Sequence, residues 1–239
     1  MRKLTLITAL ALSALWGGCR SQSPGPAPAE AKAPDLVVSS PKETTPTAAE
    51  ALGILPEDLG VPVGTQVPDF TLTTAEGKAV SLGSLVAQRP TLVFFYRGGW
   101  CPYCNFQVRE FQLHHELFEN VGVGIAAISV DTQNGALAAK RAYEISYPVL
   151  SDPDLAAHKA FNVSLELDAA TRTLYKGYGI DLEAWSGKDH HTIAVPSMFL
   201  VDSTRTVRWA HADMDYKTRP SALAVLGAVK TWFKALPQE

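Results

Sequence analysis

Residues 91–104 read TLVFFYRGGWCPYC. The first six form a continuous apolar run, which is typical of a strand buried on both faces. After the second cysteine, large apolar residues recur at helical spacing, and this pattern predicts a helix over 102–120. We therefore predict a strand, a turn and a helix, with Cys101 at or just before the helix start. Pro102 then stands where its missing N–H costs nothing.

Cys101 and Cys104 are predicted to be a redox-active pair. Free N–H groups and the helix dipole at a helix start favour the thiolate, and in such places the pKa of a cysteine falls from about 8.5 to roughly 3.5–7.5. Cys104, one turn further on, is within reach of a disulfide. A two-residue gap is too short to join distant parts of a fold. Since the chain has no second cysteine pair to complete a zinc site, we expect no metal.

Strand and helix patterns alternate along the rest of the chain. We predict strands at 69–73 and 79–82 (a hairpin), 124–130, 148–150, 197–201 and 206–210, and helices at 135–144, 155–161 and 221–236. This alternation favours a mostly parallel sheet with helices on both faces. Residues 165–192 fit no pattern. Tyr175, Tyr178 and Trp185 in that segment are interpreted as aromatic packing, with a lid over the site as the alternative.

The amino-terminal residues read as an export signal. Arg2 and Lys3 precede an apolar run at 4–16, and two small residues stand directly before Cys19. Small residues before a cysteine resemble the lipobox of bacterial lipoproteins, so we expect Cys19 to be lipidated. An ordinary secretory signal that contains a cysteine is the alternative. Either interpretation predicts an exported protein of the periplasm or cell envelope.

Residues 20–60 are predicted to be a disordered tether, because they are rich in Pro, Ala, Ser and Thr and poor in large apolar residues. With 239 residues and 46% hydrophobic content, the chain is expected to form one further domain over 61–239. With a net charge of −3 and no runs of Lys and Arg, the chain lacks the positive surface that a nucleic-acid backbone requires, so nucleic acid is not an expected partner. Contact with a membrane is expected only through the lipid anchor.

The domain resembles the alkyl hydroperoxide reductase and thiol-specific antioxidant family, whose members include peroxiredoxins. The sequence VPDFTL at 67–72 is similar to the family's amino-terminal hairpin, YPVLSDP at 147–153 to the stretch after its second helix, and FLVD at 199–202 to a late strand. The resemblance implies an α/β thioredoxin-like fold, with a central mixed sheet flanked by helices and an N-terminal hairpin. It also implies a thiol peroxidase that needs no cofactor and is reduced by a thiol donor such as a thioredoxin-like protein.

The active-site run departs from the peroxiredoxin pattern Pro-x-x-x-Thr-x-x-Cys. Laid on that pattern, Cys104 takes the peroxide-attacking position, Arg97 replaces the proline and Cys101 replaces the threonine. Peroxiredoxins usually carry an arginine just before the late strand. Here residues 194–195 offer none, and Arg97 or Arg208 is expected to take its role.

Other likenesses keep a second function open. CPYC is similar to the glutaredoxin motif, Trp100 before the first cysteine resembles thioredoxin, and Pro196 resembles the cis-proline that faces the thioredoxin disulfide. In those proteins the first cysteine, here Cys101, is the nucleophile. The resemblance therefore implies either peroxide reduction by Cys104 or disulfide exchange by Cys101. An exported copper carrier is a third hypothesis, which the two-residue gap disfavours.

Overall fold

A computed structural model of the chain describes residues 36–235, with side chains as far as residue 233. Its strands are β1 (Thr45–Pro46), β2 (Thr71–Thr74), β3 (Ala79–Ser81), β4 (Thr91–Phe95), β5 (Gly124–Ser129), β6 (Val149–Ser151), β7 (Ser164–Glu166), β8 (Thr192–Ala194), β9 (Ser197–Val201), β10 (Val207–Ala212) and β11 (Thr218–Arg219). Its α-helices are α1 (Leu82–Val86), α2 (Pro102–Leu113), α3 (His115–Glu119), α4 (Gln133–Ala142), α5 (Ala156–Ala160), α6 (Ala169–Gly177), α7 (Leu182–Ser186) and α8 (Ala222–Ala235).

Seven strands form a central sheet in the order β10-β9-β4-β5-β6-β2-β3. Only the neighbours β4–β5 and β5–β6 are parallel, and the other four pairs are antiparallel. The prediction of a mostly parallel sheet is therefore wrong, because antiparallel hairpins extend both edges of the parallel centre. The mixed sheet and the N-terminal hairpin β2–β3 are confirmed.

Helices cover both faces of this sheet, and β4 shows why. Leu92 and Phe94 pack into one apolar cluster, together with residues of α2 and α8. Val93 and Phe95 point the other way, into a second cluster with residues of α1 and α5. Every residue of β4 is buried, as the uninterrupted apolar run predicts.

The predicted helix over 102–120 is broken. Its first part, α2, ends at Leu113, and α3 begins after His114, whose backbone has non-helical angles. The unassigned segment 165–192 forms two short helices, α6 and α7. The strands β7 and β8 at its two ends pair with each other outside the central sheet. This insertion carries Tyr175 and Trp185.

Residues 36–60 are packed against the domain. The peptide N–H of Ser39 donates to the carbonyl of Gly99, and β1 pairs in parallel with β11 near the carboxyl terminus. Leu36 and Val38 pack against the first apolar cluster. The prediction of a disordered tether therefore does not hold for residues 36–60, because a sequence window cannot show apolar and backbone partners that lie elsewhere in the chain.

The predicted signal, Cys19 and the first part of the tether lie outside the described residues. Within residues 36–235, no helix is long and apolar enough to cross a membrane.

Candidate active site

The two cysteines lie where β4 gives way to α2. Cys101 is the N-cap of α2, and its Sγ accepts the peptide N–H of Cys104 at 3.4 Å. Pro102 occupies the first helical turn, where no N–H is required. This local arrangement is the one that the sequence predicts, and it places Cys104 one turn into the helix.

The loop before Cys101 depends on glycine and on a buried carboxylate. Gly98 has φ +146°, and a Cβ there would lie 2.4 Å from Nε1 of Trp100 and 2.7 Å from Oδ1 of Asp131. The peptide N–H of Gly99 donates to Oδ2 of Asp131 at 2.9 Å. Since Asp131 follows β5, this bond ties the loop to the centre of the sheet.

The two sulfurs are reduced, 2.8 Å apart and buried. Cys101 is 1% exposed and Cys104 is fully buried. A reactive thiolate at a helix start is expected to be exposed, and this expectation is wrong here, because side chains from distant segments close over the loop. Two thiols this close can exchange a proton or join as a disulfide.

An arginine faces each sulfur. Nη1 of Arg97 lies 3.9 Å from Sγ of Cys101, and Nη2 of Arg219 lies 3.6 Å from Sγ of Cys104. Both arginines are buried. The Arg97 guanidinium also lies 4.0 Å from the Tyr216 ring centroid and 5.0 Å from that of Trp100, and it donates to the Tyr175 hydroxyl. The site therefore holds two desolvated cations beside two thiols.

These surroundings place the negative charge on Cys104. Burial raises its pKa, but the hydrogen bond with Cys101 and the charges of Arg219 and Arg97 outweigh burial and lower the pKa to about 6. For Cys101, burial, the same hydrogen bond and the charge on Cys104 raise the pKa well above its usual value. The helix start alone predicts the lower pKa at Cys101. The structure assigns it to Cys104, because two adjacent sulfurs cannot both ionise and Cys104 has the nearer guanidinium.

Asp131 is a third titratable group at this site. Burial raises the pKa of its carboxyl to about 7, although its bonds with Gly99 and Ser129 lower it, and the charge on Cys104 raises it further. Its Oδ1 has no partner within the described chain. Asp131 therefore holds the loop, and its protonation is coupled to the charge on Cys104.

Access to the sulfurs is through a cavity of about 280 Å³. Cys101 and Arg97 form part of its wall, Ser39 contributes one side, and the remaining lining is mainly aromatic: Trp100, Tyr103, Tyr175, Tyr178 and Tyr216. Cys104 is not part of this lining. A molecule entering from this cavity meets Cys101 first.

Sequence comparison assigns the domain. The model of the AhpC/TSA family matches residues 63–210, which is more than half of the chain. The chain belongs to the AhpC/TSA family. Both cysteines, Arg97 and Asp131 lie inside the matched stretch, whereas Arg219 and the segment around Ser39 lie outside it.

Named relatives in this family are peroxiredoxins. Chloroplastic peroxiredoxin Q of Oryza sativa subsp. japonica is 33% identical over 132 residues, which cover 52% of this chain and 59% of the rice protein. A putative peroxiredoxin of Mycobacterium tuberculosis is 33% identical over 91 residues, or 38% of this chain and 57% of that protein. The chain thus matches somewhat less than three fifths of these relatives' lengths.

Solved structures confirm the thioredoxin-like fold. Peroxidoxin BcpB from Mycobacterium tuberculosis aligns over 75% of this chain and 99% of its own, with a TM-score of 0.58 and 19% identity. Reduced Prx3 from Vibrio vulnificus, solved in complex with hydrogen peroxide, aligns over 71% of this chain and 99% of its own, with a TM-score of 0.58 and 17% identity.

The remaining predicted site residues are placed as follows. Pro196 lines a neighbouring cavity of about 290 Å³, which shares Arg97, Tyr175 and Tyr216 with the first. The peptide bond before Pro196 is trans, so the likeness to a cis-proline segment does not extend to the backbone. Arg208 pairs with Asp202, with Nε 2.7 Å from Oδ2, and has no bond to either cysteine within the described chain. Of the two predicted arginines, only Arg97 therefore faces a sulfur.

Three residues of the site are not predicted from the sequence. Arg219 and Ser39 lie far along the chain from the cysteines, in stretches that show no motif. Asp131 offers a usable signal, because an acidic residue directly after a buried strand commonly marks a site edge. Within residues 36–235, no group of three or more His, Cys, Asp and Glu could hold a metal ion.

Proposed function

We propose that the chain reduces hydroperoxides with Cys104 as the attacking thiolate and Cys101 as the resolving thiol. The observation that carries this proposal is the pair of sulfurs 2.8 Å apart with the Arg219 guanidinium 3.6 Å from Cys104. Membership of the AhpC/TSA family supports the same reaction. Only a thiolate attacks an O–O bond efficiently, and the lowered pKa keeps Cys104 ionised at neutral pH.

The reaction proceeds in three steps. The Cys104 thiolate attacks the distal oxygen of the hydroperoxide, the O–O bond breaks, and the alkoxide or hydroxide leaves with a proton as alcohol or water. Cys104 is thereby oxidised to a sulfenic acid. The Cys101 thiol then attacks that sulfur, water leaves, and a disulfide forms. Two thiols of an external donor finally supply two electrons, regenerate both cysteines and become a disulfide themselves.

The placement of the two sulfurs supports a first contact for each substrate. Because Cys101 lines the cavity and Cys104 lies behind it, the Cys101 side chain must rotate aside for peroxide to reach Cys104. In the disulfide state the same geometry presents the Cys101 sulfur to the donor thiol. Attack there releases Cys104, whose low pKa makes it the better leaving group. We propose a thioredoxin-like protein as this donor.

Protein disulfide reduction is the second candidate, favoured by the place of Cys101 at the cavity. It requires Cys101 to attack first, and the charges around the pair oppose this because they ionise Cys104. The family match favours peroxide reduction.

Rapid mixing of the reduced protein with hydrogen peroxide or cumene hydroperoxide, with trapping of sulfenic acid by a dimedone probe, tests the proposal. Cys101→Ser is expected to form sulfenic acid rapidly and retain it. Cys104→Ser is expected to react slowly, like a free thiol. Fast trapping in Cys104→Ser alone would assign attack to Cys101, and slow reaction of the wild type and both variants would refute peroxide reduction.

The proposed location is the periplasm or cell envelope, with Cys19 as the anchor. The supporting observation is the run of residues 1–19. Labelling of growing cells with an alkyne fatty acid is expected to mark the wild-type chain and to leave Cys19→Ser unmarked. Equal labelling of the two would contradict the anchor.

A further inference from the structure

The segment that precedes the family domain contacts both the loop that carries the cysteines and the strand that carries Arg219. At one end, the Ser39 peptide N–H donates to the Gly99 carbonyl at 3.1 Å and its hydroxyl donates to the Trp100 carbonyl at 2.6 Å. Three residues later, the Lys42 peptide N–H donates to the Pro102 carbonyl at 3.1 Å. These bonds fix the backbone on both sides of Cys101.

At its other end, the same segment holds the strand that carries Arg219. The peptide N–H groups of Thr45 and Thr47 donate to the carbonyls of Lys217 and Arg219, each at 2.9 Å. Among residues 36–235, β1 is the only strand that pairs with β11. These two bonds hold the Arg219 backbone on the side of β1, while Gln107 of α2 donates to the neighbouring Pro220 carbonyl at 3.5 Å.

The Arg219 side chain itself makes few hydrogen bonds. It is 1% exposed, and Nε and Nη1 have no hydrogen-bond partner in the described part of the chain. Its Nη2 contacts Cys104. Because so few side-chain bonds hold the guanidinium, its place beside Cys104 follows the position of the Arg219 backbone.

We propose that residues 39–47 form a brace that positions the Arg219 guanidinium against Cys104 and thereby maintains Cys104 as the attacking thiolate. The brace joins the cysteine loop to β11, so it sets the separation between the sulfur and the cation. It lies before the stretch that matches the family model, and Arg219 lies after it. The brace and Arg219 thus form a positioning device outside the family domain. This inference rests on the proposed role of Cys104.

The test uses proline to remove the brace's backbone donors. In the full chain carrying Cys19→Ser, so that only two thiols titrate, Thr45→Pro/Thr47→Pro removes both N–H groups that bind β11. Thr45→Val/Thr47→Val is the matched control, because it keeps both N–H groups. The reduced proteins are titrated by thiolate absorbance at 240 nm, and circular dichroism with thermal unfolding checks that each is folded.

In the proline variant, the pH midpoint at which the first thiol ionises is expected to rise by about one pH unit, because withdrawal of a nearby cation shifts a pKa by roughly 1–3 units. The valine control is expected to match the wild type. A folded proline variant with an unchanged midpoint would overturn the proposal.

A gentler variant protects the test against misfolding. The Tyr143 hydroxyl donates to the Ser39 carbonyl at 2.5 Å, so Tyr143→Phe loosens the brace by a single bond. In Tyr143→Phe, the pH midpoint of the first thiol is expected to rise less than in the proline variant. If the proline variant is unfolded and Tyr143→Phe shows no rise, the proposal is also overturned. Because the titration contains no peroxide, an unreactive wild type would refute the proposed function and leave the brace result interpretable.

Discussion

Replacing Arg219 with glutamine tests the electrostatic basis of the site most directly. The substitution removes the cation 3.6 Å from Cys104 and keeps a polar, although shorter, side chain. Arg97 remains on the other side of the pair, 3.9 Å from Cys101. The predicted consequence is a higher pKa for Cys104 and slower oxidation at neutral pH.

The magnitude follows from the distance. Opposite charges 3.6 Å apart attract by about 5 kcal/mol at an effective dielectric constant of roughly 20, equivalent to about 3 pKa units. Water entering the vacated space and the remaining Arg97 offset part of this loss. We therefore expect the pKa of Cys104 to rise from about 6 to about 8, roughly 2 units. At pH 7 the thiolate fraction then falls from about nine tenths to about one tenth.

The assay is the second-order rate of oxidation by hydrogen peroxide between pH 5 and pH 9. Arg219→Gln is expected to react about tenfold more slowly at pH 7 and to approach the wild-type rate at pH 9, since high pH restores the thiolate. Arg219→Lys keeps a positive charge and is expected to recover much of the loss. Arg208→Gln, at an exposed arginine paired with Asp202, is the control and should leave the profile unchanged. A Cys104 midpoint that stays near pH 6 in Arg219→Gln would refute the electrostatic reasoning.

Three further predictions concern pH and the loop. In the wild type the oxidation rate should rise with pH through about 6 and level off above it, because Cys104 is protonated below that pKa; a midpoint above pH 8 would contradict this. The Asp131 carboxyl has a raised pKa of about 7, so its stabilising contribution is complete below about pH 4 and is lost as pH rises through 7. The free energy of unfolding of Asp131→Asn should therefore gain roughly 4 kcal/mol relative to the wild type between pH 4 and pH 8. A difference between the two proteins that stays constant over this range in urea titrations would contradict this prediction. Gly98→Ala should lower stability by about 3 kcal/mol or more, because it combines a positive φ with close contacts. Gly64→Ala, at φ +92° in open space, should lower stability by only about 1–2 kcal/mol. If thermal unfolding shows equal losses for the two variants, the close contacts at residue 98 do not contribute to the loss.

The cysteine motif could be located from sequence because its signals are local. A buried strand, two glycines, a proline in the first helical turn and a helical apolar pattern all lie within residues 91–120, and β4, the N-cap Cys101 and α2 follow from them. The break at His114 was missed because helical spacing continues across it. The insertion at 165–192 fits no pattern because its helices are only nine and five residues long, too short for a clear helical periodicity.

The charge distribution could not be read from the motif. A helix start favours ionisation of Cys101, yet the sulfur with the lowered pKa is Cys104. The deciding groups are Arg219, 115 positions away along the chain, and the burial that removes water from both thiols. Coulomb energy depends on distance in space and on the surrounding dielectric, and neither is encoded in the spacing of two cysteines.

By itself, the sequence determined the strand-to-helix junction and the identity of the two thiols, because these depend on neighbours within a few residues, and it determined the fold class through the family resemblance. Only the tertiary structure decided which thiol is ionised, which one faces the cavity, and that residues 36–60 belong to the domain. Those properties arise where segments distant in the chain meet, as when β1 pairs with β11 and brings an arginine to a buried sulfur.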